Sequence, residues 1–157
     1  MRRFCLLWIV LAVAACGAES ARDSLSSAQQ ALAASRYADA LAGAEAGLGR
    51  SPDDVTAWNL ELVKLEALAR DGRGDATVAQ LEALAAAKPE RMPATQYAAT
   101  ADQLRSAGQG ADAIRALDLG LQRFPDDAAL LGQIEAAKAA PAGSEELERL
   151  RSLGYVE

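Results

Sequence analysis

The side chains best suited to chemistry in this 157-residue chain are two cysteines, Cys5 and Cys16, and 22 carboxylates. A thiolate is a strong nucleophile and forms bonds to carbon readily. The chain has no histidine, so no imidazole base, no histidine triad and no Cys/His metal cluster can be assembled from it. It holds no G-x-x-x-x-G-K, G-x-G-x-x-G or G-x-S-x-G, the turns that cradle phosphates or present a nucleophile. Asp71-Gly72-Arg73-Gly74-Asp75 has the residue types of a calcium loop, but not the full ligand spacing or the distal Glu. The remaining carboxylates fall at helix starts and on polar faces. Catalysis, a cofactor and a metal site are therefore not expected. A net charge of −6 also argues against nucleic acid as a partner.

The cysteines belong to the first segment. Arg2 and Arg3 precede a 12-residue apolar run, 4–15. As a helix it would be roughly 18 Å long, too short for a ~30 Å hydrocarbon core. A positive start followed by a short apolar run predicts a removable signal peptide over 1–15. Its removal takes Arg2 and Arg3 and shifts the side-chain charge from −6 to −8. Cys5 leaves with it, so no disulfide can form within one mature chain and the fold must rest on packing.

Val13-Ala14-Ala15-Cys16 resembles the lipobox of bacterial lipoproteins. That resemblance implies a lipidated Cys16 as the new N-terminus, carrying three acyl chains, enough for a stable anchor. Gly17, where an Asp would retain the protein, implies sorting to the outer membrane, facing the periplasm. The competing reading is cleavage after Ala14 at Ala12-Val13-Ala14, which would leave Cys16 a free thiol. Residues 16–23 then read as a tether.

The elements beyond the tether repeat. Pro52, Pro89 and Pro125 are spaced 37 and 36 residues apart. The best unit spans 94–127. Tyr97, Ala101 and Leu104 make one apolar helix face, Gly108 and Gly110 a turn, and Ala113, Ile114, Leu117 and Leu121 a second face. Overlaid on it, 21–54 matches Ala40 to Ala113, Leu41 to Ile114, Gly47 to Gly120 and Pro52 to Pro125. No strand pattern is present, so the expected fold is all-α, with two helices per period.

This pattern resembles the tetratricopeptide repeat. Tyr37, Ala40 and Pro52, and then Tyr97, Gly108, Ala113 and Pro125, fall on that family's aromatic, small-residue and proline positions. Trp58 falls on its early tryptophan position, although that unit is about three residues too long. The resemblance implies a helical-hairpin solenoid over 24–139, with three repeats and a partial fourth that stops after one helix. It also implies a partner-binding groove lined by the first helix of each pair. The corresponding positions are Gln29, Thr56, Asn59, Glu66, Asp102 and Arg105, which could hydrogen-bond an extended peptide or a partner helix. Leu25 and Gln29 stand where the carboxylate clamp of some members needs Lys and Asn, which argues against chaperone-tail binding. The plain alternatives are an Ala-rich bundle without family identity and a solvated face without a ligand.

Residues 140–157 read as a linker and a short closing helix. Ser144 can cap it, Leu147, Leu150 and Leu153 fall on one side, and Gly154 suits its end. Together the features predict a membrane-anchored scaffold that binds other envelope proteins or peptides. The alternatives are an accessory subunit of a secretion, pilus or envelope enzyme system recruited through the tail, and a passive structural lipoprotein.

Overall fold

A computed structural model describes residues 20–157, and over these the chain is all-helical. The expected signal peptide, Cys16 and the start of the expected tether lie outside the described residues. Eight α-helices follow in order: α1 (Ala21–Ala33), α2 (Tyr37–Leu48), α3 (Asp54–Arg70), α4 (Gly74–Ala87), α5 (Ala94–Ser106), α6 (Gly110–Arg123), α7 (Ala128–Ala137) and α8 (Glu145–Ser152). A 3-10 turn, Pro89–Arg91, precedes α5.

Three helix pairs share one turn design. The backbone N–H of Arg36, Arg73 and Gln109 reaches back to the carbonyl of Ala31, Leu68 and Leu104 respectively. Each turn also places one residue in the left-handed region: Ser35 (φ 57°), Gly72 (φ 72°) and Gly108 (φ 78°). Such a residue ends the helix and lets its last carbonyls be satisfied. The turns thus repeat at the same 37- and 36-residue spacing as the prolines. The surplus length of the second unit therefore lies before its turn. α3 has 17 residues where α1 and α5 have 13, one extra helical turn at its N-terminal end.

Side-chain caps open α1, α3, α7 and α8, while α2, α4, α5 and α6 start without one. The first helix begins at Ala21, not at residue 24. Ser20 and Asp23 form a reciprocal capping box: Ser20 Oγ accepts from the Asp23 N–H (3.2 Å) and Asp23 Oδ2 accepts from the Ser20 N–H (3.0 Å). The helix therefore takes up the end of the segment 16–23 expected to be a tether. α3 is capped by Asp53, whose Oδ1 accepts from the Thr56 N–H at 2.9 Å. Asp54 lies in the first turn and its carboxylate takes Lys88 and Arg91 (2.6 Å to Arg91). Asp127 caps α7, and Ser144 caps α8 as expected.

The helices stack in two layers. α1, α3, α5 and α7 follow one another in the first, while α4, α6 and α8 adjoin in the second. Equivalent positions on the second helices, Ala40, Thr77 and Ala113, are all fully buried, as are Ala44, Leu81 and Leu117. At the closing position, Gly47 and Gly120 allow α2 to approach α3 and α6 to approach α7. The second pair carries Leu84 there, and α4 has little contact with α5. A buried leucine side chain takes up the space that a neighbouring helix enters at a glycine.

The tail is a packed element. α8 lies on α6, with Leu147 and Leu150 buried in the main core. It supplies a further second-layer helix beside α6, where it closes the end of the stack. Leu153, expected on the same side, is 38% exposed, because the helix ends there and Gly154 (φ 82°) turns the chain. Tyr155 folds back: its N–H donates to the Leu150 carbonyl and its phenol to Asp118 Oδ1 at 2.8 Å.

Candidate functional site

The helix pairs give the molecule two ends. The turns 34–36, 71–73 and 107–109 form one, and the linkers 49–53, 88–93 and 124–127 form the other. Contacts between successive units confirm the alignment. Gly72 lies beside Ala107 and Gln109 at the turn end. At the linker end, Arg22 reaches Asp53 (3.3 Å), and Arg123 donates to the Pro89 carbonyl (2.5 Å).

An open cleft of ≈ 300 Å³ lies at the turn end, lined by Tyr37, Arg70, Asp102, Gln103, Ser106 and Ala107. Three helices position it: the start of α2, the end of α3 and the last turn of α5. Glu66 holds Arg70 at 2.7 Å, one turn earlier on α3. Asp102 joins two elements at its other flank. Its Oδ1 accepts from Arg105 (3.3 Å) and its Oδ2 from Gln133 Nε2 of α7 (3.1 Å). Arg105 also donates to Glu146 of α8 at 3.2 Å. Arg105 Nη2 and Gln133 Oε1 are buried without a partner among the described residues, so this polar network has unused hydrogen-bonding capacity.

The six groove candidates separate on this geometry. Glu66, Asp102 and Arg105 gather at or beside the cleft. Gln29 is exposed on α1 and Asn59 half-buried on α3, and neither lines the cleft. Thr56 is buried, and its hydroxyl donates to Asp53 Oδ2 at 2.9 Å. It completes the α3 helix cap. Arg105 ties α5 to the tail through Glu146. Sequence reasoning missed Arg70, Gln103 and Gln133 as members of the site. The i, i+4 spacing of Glu66 and Arg70 was a signal for the first. The others depend on how α5 and α7 meet.

The Asp71–Asp75 stretch is a turn with its carboxylates engaged. Asp71 accepts from Arg73 (2.8 Å), and Asp75 from Arg115 (2.6 Å). The Asp75 carboxylate, with Asp112 beside it, holds the Arg115 guanidinium above its usual range. Gly74 sits so close to the Asp112 side chain that a Cβ there would collide with it. Among the described residues, no group of three or more His, Cys, Asp or Glu is arranged to hold a metal, and no helix is long and apolar enough to cross a membrane.

A second open cleft, ≈ 380 Å³, lies in the second layer between α4 and α6. Ala85, Tyr97, Leu119 and Arg123 are among its walls. It occupies the side where α4 lacks close contact with α5. The second cleft also carries Glu82, Gln122 and Arg123; the first is distinguished by drawing a cation, a carboxylate, an amide, a hydroxyl and an aromatic ring from α2, α3 and α5, across three successive helix pairs. Such a set can hydrogen-bond an extended backbone and discriminate its side chains. Comparison with known protein families, with curated proteins and with solved structures finds no match for this chain.

Proposed function

We propose that the chain is a tetratricopeptide-like scaffold, anchored through lipidated Cys16 to a bacterial envelope membrane, that binds other envelope proteins at the turn end. Outer-membrane attachment facing the periplasm follows from the lipobox resemblance and Gly17. The observation that carries the binding reading is the cleft itself. Tyr37, Arg70, Asp102 and Gln103 come from three helices of three successive units, so only the stacked arrangement creates it. Support for the solenoid reading comes from the repeated turn, the repeated small and apolar positions, and the unbroken layer of first helices. The tail reading has less support, since Leu147 and Leu150 are buried against the core and unavailable as a docking peptide while α8 is seated.

The test is site-specific photocrosslinking in cells from Gln103, with Gln30 on α1 and the Cys16→Ser variant as controls. A discrete adduct from Gln103, weak from Gln30 and lost in the Ser variant, identifies the partner by mass spectrometry. No adduct from Gln103, with one formed from exposed tail positions such as Ser152, would replace this reading with recruitment through the tail. No adduct from any position would leave a passive tether.

A further inference from the structure

We infer that the linker end of the molecule faces the lipid headgroup surface of the anchoring membrane, with Val55 nearest to it, and that the Tyr37–Arg70–Asp102 cleft points away. The inference rests on the lipid-anchor reading. It follows from chain length and from where the described fold begins. Helical structure starts at Ser20, locked by its capping box with Asp23, only four residues after Cys16. Four residues span at most about 14 Å fully extended. The start of α1 is therefore held within that distance of the acyl anchor.

The start of α1 is also the linker end, where Arg22 meets Asp53 of the α3 cap. α3 projects one extra turn at that end, roughly 6 Å of helix, and Val55 on that turn is 63% exposed, the most exposed large apolar side chain among the described residues. Beside it, Asp54 takes Lys88 and Arg91, and the Arg91 guanidinium lies 5.8 Å from the Trp58 ring centre. A valine tip with long cationic side chains around it suits an interfacial zone, where apolar groups dip and charged heads stay in water. The charges at this end are mixed, so the tether and not bulk charge keeps it there. The turn end lies the length of α3 away, about 25 Å for 17 residues.

The experiment uses the acylated protein in vesicles of phosphatidylethanolamine and phosphatidylglycerol that contain a nickel-chelating lipid. The mature chain offers no other free thiol once Cys16 is acylated, so Val55→Cys and Ala34→Cys can each carry one nitroxide. Ala34 is exposed at the turn end. Headgroup nickel should relax the label at 55 several-fold more than the label at 34. Equal relaxation at the two sites, or more at 34, in protein whose acylation mass spectrometry verifies, overturns the orientation alone. Absence of acyl groups on Cys16 in cell-derived protein overturns the anchor and the orientation together.

Discussion

The first and third helix pairs follow one design with different materials. Both have the three-residue turn, a fully buried alanine at Ala40 or Ala113, and a glycine at Gly47 or Gly120. Between them, Ser24 stands where the third pair has Tyr97, Ala31 where it has Leu104, and Ala44 where it has Leu117, all buried. The third pair adds an edge-on contact of Tyr97 with Phe124, ring centres 6.2 Å apart. Each fully buried large side chain contributes about 1.5–3 kcal/mol, which an alanine or serine cannot match. The first pair relies instead on close approach, with a Cβ at Gly43 falling 3.2 Å from Ala28. The same backbone path is thus held by area in one place and by proximity in the other. The first pair should be the weaker cooperative unit.

The largest effect expected is at the paired glycines. A methyl at Gly120 would meet Tyr97 Cβ and Leu130 Cδ1, both at 2.9 Å. Tyr97 Cβ is fixed close to its backbone and cannot yield. Overpacking of about 1–3 kcal/mol should therefore outweigh the roughly 1 kcal/mol that Ala gains over Gly inside a helix. At Gly47 the nearest atoms are the Leu60 methyl ends at 2.8 and 2.9 Å, which can rotate, and Ser24 Cβ at 3.0 Å, slightly farther than Tyr97 Cβ is from Gly120. Urea unfolding should show both variants destabilised, Gly120→Ala more than Gly47→Ala. Equal losses at the two sites would break the comparison.

A smaller effect is expected at the turns. Ser35 occupies the left-handed conformation that Gly72 and Gly108 adopt without a Cβ penalty. Ser35→Gly should stabilise by about 0.5–1 kcal/mol, and hydrogen exchange should locate the gain in α1 and α2. Gly108→Ser should cost a similar amount and loosen α5 and α6. No gain in amide protection from Ser35→Gly would mean that this turn does not limit the first pair.

The smallest effect concerns the clasp that only the C-terminal region has. Burial, followed by the Asp118 carboxylate, pushes the Tyr155 phenol up to about 12 from an ordinary 10.0. The fold therefore favours the protonated phenol. Its contribution is complete below pH 10 and declines as pH rises from about 10 to about 12. Tyr155→Phe should lower stability by about 0.5 kcal/mol at neutral pH and remove this alkaline component. Ultraviolet titration of tyrosinate should show one late-titrating phenol in the parent chain. An unchanged titration in the Phe variant would dissociate the clasp from the shifted group.

Most of the fold was legible because its signals are local. Turn glycines, capping side chains and 3.6-residue spacing act within a few residues, so helix number and most boundaries followed from composition and order. The errors have local causes too. Ser20 with Asp23 and Asp53 with Thr56 are competing cap choices that sequence alone ranks poorly. The groove was less legible. Family positions led to Thr56, which the cap consumes, and missed Arg70 and Gln103, whose place depends on three helices meeting.

The sequence by itself determined that the chain is helical, that its units repeat every 36 or 37 residues, and where glycine and proline end each unit. Those are properties of short segments and their spacing. Tertiary structure alone decided that α8 seats on α6, that Leu84 keeps α4 from α5, and that Asp102, Arg105, Gln133 and Glu146 form one network. Each of these depends on residues 31 to 41 positions apart or on the space between helices. That space is set by how whole side chains fill it.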